Sequence, residues 1–178
     1  NVSAKNRITP TGTPTLSKNA IIYGDALNTI ALSGKLHDNV NNVDVDGTFE
    51  WVDGTHIPVV GNGTYAAEWI FEPTDTEKYL TVSGRSNITV EKATQYGKVS
   101  MAGYTYGQAP STPTLTDRTG DLNAQVTYSY AAADSGSVQT WDISNPPALN
   151  AGTYRMYASI GDTDNYYGFE AVYCEFVV

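Results

Sequence analysis

Gly63-Thr64-Tyr65-Ala66-Ala67-Glu68-Trp69-Ile70-Phe71 and, further on, Gly152-Thr153-Tyr154-Arg155-Met156-Tyr157-Ala158-Ser159-Ile160 decide how this chain is read. Each run passes from a glycine through Thr-Tyr into an apolar stretch and is followed by the same polar loop, D-T-x-x-Y. The two loops are Asp75-Thr76-Glu77-Lys78-Tyr79 and Asp162-Thr163-Asp164-Asn165-Tyr166. A two-residue period puts Tyr65, Ala67, Trp69 and Phe71 on one face of a strand, and Tyr154, Met156, Ala158 and Ile160 on one face of another. Burying a large apolar side chain is worth about 1.5–3 kcal/mol, so these faces are predicted to be core. A pattern repeated in the same internal order implies two copies of one structural unit.

The flanking sequence supplies further strands. Ala20–Tyr23 is a short strand broken by Gly24-Asp25, and Tyr106-Gly107 parallels Tyr23-Gly24. The Tyr-Gly steps lie 83 positions apart and the Gly-Thr-Tyr steps 89. Ile8–Thr15 alternates Thr with Pro and Gly, so it is an extended linker or edge segment. Ala26–Leu32 fits a helical turn or a strand. Asp38–Asp46, polar and Asn-rich, reads as a loop. Thr48–Val52 is a strand with Phe49 and Trp51 on one face, ended by the turn signature Asp53-Gly54. Ser86–Lys92 closes the first copy with Ile88 and Val90 inward.

In the second copy, Ala93–Gly97 reads as a polar connection and Val99–Tyr106 as the opening strand. Pro113–Thr116, a strand with Val126, Tyr128 and Tyr130 on one face, and Ser137–Ile143 carrying Trp141 follow. The final strand sets Val172, Cys174, Phe176 and Val178 against Tyr173, Glu175 and Val177. The expected organisation is a linker over 1–15, one unit over 16–93 and a second over 94–178. Asn1–Lys5 resembles the Ile88–Lys92 stretch, so residues 1–15 would carry the tail of a preceding copy and the chain would be a piece of a longer protein.

The 178 residues carry a formal charge of −9 with only 16% charged side chains, and 11% are aromatic. Abundant β-branched and aromatic residues suit pleated sheets. An acidic chain without a basic cluster is not expected to bind nucleic acid. No apolar run reaches the roughly 20 residues of a membrane helix, so no membrane insertion is expected of this segment. The single cysteine, Cys174, rules out an intrachain disulfide.

Chemistry-bearing groups are few. Cys174 falls on an apolar face and reads as an inert thiol. His37 and His56 sit in polar turns. Glu50 and Glu68 are the one pair suggesting glycoside hydrolysis, yet both fall opposite the aromatic face, and no catalytic residues are expected. Asp44-Val45-Asp46-Gly47 and Asp162-Thr163-Asp164-Asn165 cluster oxygens of the kind Ca2+ uses without the full spacing of a calcium loop, so no cofactor is expected, with Ca2+ as the alternative. Tyr157, Tyr173, Tyr104 and Tyr106 are the candidate ligand-binding residues, as stacking platforms for a sugar. Tyr157 and Tyr173 fall on outward faces of strands expected to be neighbours, where cross-strand aromatic pairing is the simpler reading.

Two resemblances arise from these motifs. Leu149-Asn150-Ala151-Gly152-Thr153-Tyr154 is similar to the tyrosine corner of immunoglobulin-like sandwiches. The ordered set Y-G-D/Q, G-T-Y, D-T-x-x-Y and T-V-E-K-A resembles the MBG-type and bacterial Ig-like repeats of surface proteins. The resemblance implies an all-β fold of two tandem small Ig-like β-sandwich domains, with β-grasp-like domains as the alternative. It further implies a non-catalytic repeat region of a secreted or cell-surface bacterial protein, extracellular, serving as stalk, spacer or adhesin. Its partners would be neighbouring repeats and host glycans or glycoproteins. The alternative is a carbohydrate- or glycoprotein-binding module accessory to an extracellular enzyme. An intramolecular Lys–Asn amide of the pilus type would need Lys18, Asn87 and Glu68.

Overall fold

The computed structural model describes residues 6–171 and 173–178, so the expectations for Asn1–Lys5 and Val172 lie outside the described residues. The chain is all-β; its one helical element among the described residues is a 3-10 turn at Leu27–Thr29. Ala26–Leu32 thus divides into that turn and the start of a strand. The chain forms two compact units, the first ending at Lys92 and the second running from Ala93 to Val178.

The first unit contains β1 (Thr15–Leu16), β2 (Ala20–Ile22), β3 (Leu32–Ser33), β4 (Leu36–Asp38), β5 (Val43–Val45), β6 (Gly47–Trp51), β7 (Tyr65–Pro73) and β8 (Val82–Glu91). Its main sheet has the order β2-β8-β7-β6. β6, β7 and β8 are antiparallel neighbours, while β2 lies parallel to β8. The period-two reading holds: Ala67, Trp69 and Phe71 are buried on β7, Ile88 and Val90 on β8, and Phe49 and Trp51 face inward on β6. One end of this inner face is covered by Leu27 and Ile30, the other by Leu36 and Val45. Trp51 touches both clusters and its indole N–H donates to the Ile30 carbonyl at 2.9 Å. Buried indoles commonly find such a partner.

Asp38–Asp46 corrects the sequence reading: it is the β4–β5 hairpin, with Leu36 opposite Val45 and Asp38 opposite Val43. Its polarity belongs to the tip. The Asp38 carboxylate accepts from the Val40 and Asn41 amides at 2.9 and 3.0 Å and from Asn41 Nδ2 at 2.7 Å. Asn42 adopts φ 55°, a conformation asparagine tolerates better than most residues. Local side-chain bonding therefore builds the turn that composition alone reads as loop.

The second unit contains β9 (Tyr96–Ser100), β10 (Thr114–Thr119), β11 (Val126–Ala132), β12 (Gln139–Trp141), β13 (Thr153–Ile160), β14 (Phe169–Glu170) and β15 (Cys174–Val177). The larger sheet runs β12-β11-β13, and β14 and β15 both pair with β13. Met156, Ala158 and Ile160 are buried as expected, joined in the core by Tyr130, Trp141 and Phe176. The antiparallel pair β9–β10 contributes Val99 and Leu115 to the same cluster. The opening strand begins earlier than expected and stops before Met101. Gly97, expected at the end of a polar connection, lies in β9, and a Cβ there would come within 2.9 Å of the Leu115 side chain. It is a close-contact glycine inside the strand.

The D-T-x-x-Y loop closes each unit in the same way. In the first, Ile8 N–H donates to Lys78 O and Leu80 N–H to Ile8 O, both at 2.9 Å. In the second, Ala93 N–H donates to Asn165 O and Tyr167 N–H to Ala93 O, again both at 2.9 Å. Each motif tyrosine thereby forms a parallel bridge to the leading segment of its own unit, Tyr79 to Ile8 and Tyr166 to Ala93. Residues 8–15 are extended, with Pro10 and Pro14 buried, so they form an edge of the first unit. The Tyr-Gly turns also correspond: Gly24 and Gly107 adopt φ of 103° and 81°, a region disfavoured for side-chain-bearing residues.

Candidate functional site

The tyrosine candidates separate. Tyr157 on β13 and Tyr173 just before β15 do meet on the outer face of the second unit, with ring centroids 5.8 Å apart. Their planes cross at 61°, so they form an edge-to-face pair and not one flat platform. The Arg155 guanidinium carbon lies 4.6 Å from the Tyr173 centroid and occupies one ring face. Arg155 also faces Glu175, its cross-strand neighbour, at 3.6 Å. Tyr104 corrects the sequence reading: its ring stacks on Phe176 and its buried hydroxyl has no partner. Burial pushes that hydroxyl's pKa up. Tyr106 is 64% exposed on the Tyr-Gly turn. The face therefore gathers Tyr157 and Tyr173 and excludes Tyr104.

Other reactive-looking groups are engaged locally. Cys174 is half-buried beside the second core, and desolvation raises its pKa. His37 is a strand residue of β4, not a turn residue, and its Nδ1 lies 3.3 Å from Asp44 Oδ1. Asp46 pairs with Lys35 at 2.7 Å. Both carboxylates of the Asp44–Asp46 segment thus face basic side chains. Among the described residues, no three His, Cys, Asp or Glu side chains converge in a metal-binding group. Lys18 faces Asp25 at 3.9 Å and Glu68 is held by Arg85, so both charged members of the Lys–Asn–Glu set have other ionic partners.

A cleft that sequence reasoning missed opens on the first unit. It encloses about 280 Å³ and is lined by Val52, Asp53, His56, Tyr65, Glu68 and Arg85, among others. β7 supplies Tyr65 and Glu68, β8 supplies Arg85 opposite Glu68, and the segment after β6 supplies Asp53 and His56. Although that segment is irregular, it is tied down. Leu27 N–H donates to His56 O at 3.0 Å and Asn28 N–H to Gly54 O at 2.8 Å. The Asp53 carboxylate accepts from the Thr55 amide at 3.1 Å and its hydroxyl at 2.8 Å. Those bonds, the hydroxyl's foremost, hold the Asp53 pKa below the usual carboxylate range.

The His56 imidazole stacks on the Tyr65 ring at 5.3 Å and 22°. Across the cleft, Arg85 Nε and Nη2 both donate to Glu68 Oε1. The side chains remain open to solvent, Glu68 at 52% and Arg85 at 67% exposure. Glu68 Oε2 and Arg85 Nη1 have no further partner among the described residues. The Asp53-x-Thr55 spacing was the available sequence signal, since an aspartate often accepts from the residue two positions on. The anchoring of this loop by the 3-10 turn has no such local signature. Compared with protein-family models, curated proteins and solved structures, the chain matches none.

Proposed function

We propose that the chain is a pair of Ig-like β-sandwich repeats from an extracellular bacterial surface protein, holding other parts of that protein at a distance and contributing to adhesion. The observation that carries this reading is how each unit takes in and releases the chain. The leading segment docks beside the D-T-x-x-Y loop, ahead of the last strands, and the chain leaves at their far end. In the first unit the intervening β8 has ten residues, or about 30 Å at a rise near 3.3 Å per residue. The first unit thus spans space between its ends, as a spacer requires.

The Ig-like assignment is supported by the Tyr154 hydroxyl, which donates to the Asn150 carbonyl four residues upstream at 3.0 Å. That bond has the form of a tyrosine corner. The parallel pairing of β2 with the final strand β8 fits the same architecture. The non-catalytic part rests on Glu68, one of the two carboxylates of the only pair suggesting acid–base chemistry, being ion-paired with Arg85. Protease shaving of intact source cells tests the location: peptides of this chain should be released from the surface. Recovery from the cytosol alone would overturn it, and hydrolysis of any polysaccharide by the pure chain would overturn the non-catalytic part.

A further inference from the structure

We infer that the cleft of the first unit binds a neutral, polyhydroxylated ligand, the terminal sugar of a glycan, through the His56–Tyr65 stack on one side and the Glu68–Arg85 pair on the other. The inference deepens the adhesive half of the reading above and does not require the spacing half. The lining selects the ligand class. Asp53 and Glu68 oppose a single guanidinium that already serves Glu68, and the chain as a whole carries −9. Phosphorylated, sulfated or carboxylated ligands are repelled by that field. The charged walls and the solvent-open pair would impose a desolvation cost on an apolar ligand.

A sugar meets each feature. Its C–H face stacks on the exposed imidazole, itself backed by Tyr65, while vicinal hydroxyls pair with a donor and an acceptor side by side. Glu68 Oε2 and Arg85 Nη1 provide that combination without breaking the existing ion pair. Asp53, kept ionised by Thr55, adds a second acceptor. The cleft volume of about 280 Å³ suits one or two sugar rings. The backbone bonds from Leu27 and Asn28 fix the loop before the ligand arrives, which lowers the ordering cost of binding.

The test is titration of the 15N-labelled chain with the methyl glycosides of glucose, galactose, mannose and N-acetylglucosamine, together with a printed array of neutral and acidic glycans. Saturable shifts are expected at the amides of Val52, Thr55 and Ala66, with array binding confined to neutral termini. His56→Ala and Glu68→Gln should each weaken binding by about tenfold, equivalent to about 1.4 kcal/mol. Both positions are exposed, so their melting curves should overlay the parent's. Tyr157→Ala should leave binding unchanged. Absence of binding, confinement to acidic glycans, or shifts clustered at Tyr157 and Tyr173 that persist in Glu68→Gln would each overturn the inference. Assaying the same samples for released sugar separates the readings: hydrolysis overturns the non-catalytic function and leaves the cleft, whereas loss of binding without hydrolysis removes only the cleft.

Discussion

Replacing Gly84 by alanine perturbs the central pairing of the first unit at one atom. Gly84 stands opposite Trp69 across β7 and β8. A Cβ added there would lie 2.3 Å from Trp69 Cζ2, 2.7 Å from Cη2 and 2.9 Å from Cε2. Carbon atoms pack best at about 3.5–4.0 Å, so the indole must retreat by about 1.2 Å. Trp69 is 2% exposed and meets Phe49 edge-on at 5.4 Å, which limits that movement. Overpacking of this kind costs about 1–3 kcal/mol. For a unit of this size each kcal/mol lowers the melting temperature by about 4–8 °C. Calorimetry should show the first unit melting earlier while the second is unchanged. Gly63→Ala is the control, because nothing lies within 4 Å of the added atom, and it should cost less than about 0.5 kcal/mol. If Gly84→Ala and Gly63→Ala melt together, the Trp69–Gly84 register is wrong.

Four further outcomes follow from individual contacts. Gly24→Ala and Gly107→Ala force side chains into left-handed backbone, and each should cost about 1–2 kcal/mol in urea unfolding. Tyr154→Phe removes the bond to Asn150 and should cost about 1 kcal/mol, read from the same urea curves. The Asp38 pKa is lowered to about 2 from an ordinary 3.8 by its hydrogen bonds, those of Asn41 foremost. Its stabilising contribution is therefore complete above about pH 4 and is lost as the pH falls toward 2; acid titration of Asp38→Asn should lack that component. Cys174, with its thiol pKa raised by burial, should react with an alkylating reagent at pH 7 more slowly than a free thiol, and unfolding should abolish the difference.

The strands legible in the sequence were those with one wet and one dry face. Trp69 and Phe71, or Met156 and Ala158, alternate with polar or small neighbours, and the period alone identifies the buried set. Three features were hidden. The β4–β5 hairpin hides behind a polar tip in which Asp38 and Asn41 bond locally, whereas the other two depend on contacts distant in sequence. Gly97 resembles the end of a polar connection until Leu115 is placed against it. The His56 cleft is formed by a loop whose anchors, Leu27 and Asn28, lie far upstream. Tyr104 is hard to place for a related reason: tyrosine suits either environment, and only the position of Phe176 reveals which one it occupies.

The passage of the chain through a unit can be measured as one distance. Spin labels at Arg7→Cys and Glu91→Cys, introduced with Cys174→Ser, bracket the first unit from its docked leading segment to the end of β8. A separation of about 30 Å or more, set by the strand rise, is the predicted result of electron double resonance. A separation of less than half that value would mean that the chain comes in and goes out at the same end, and would contradict the spacer function.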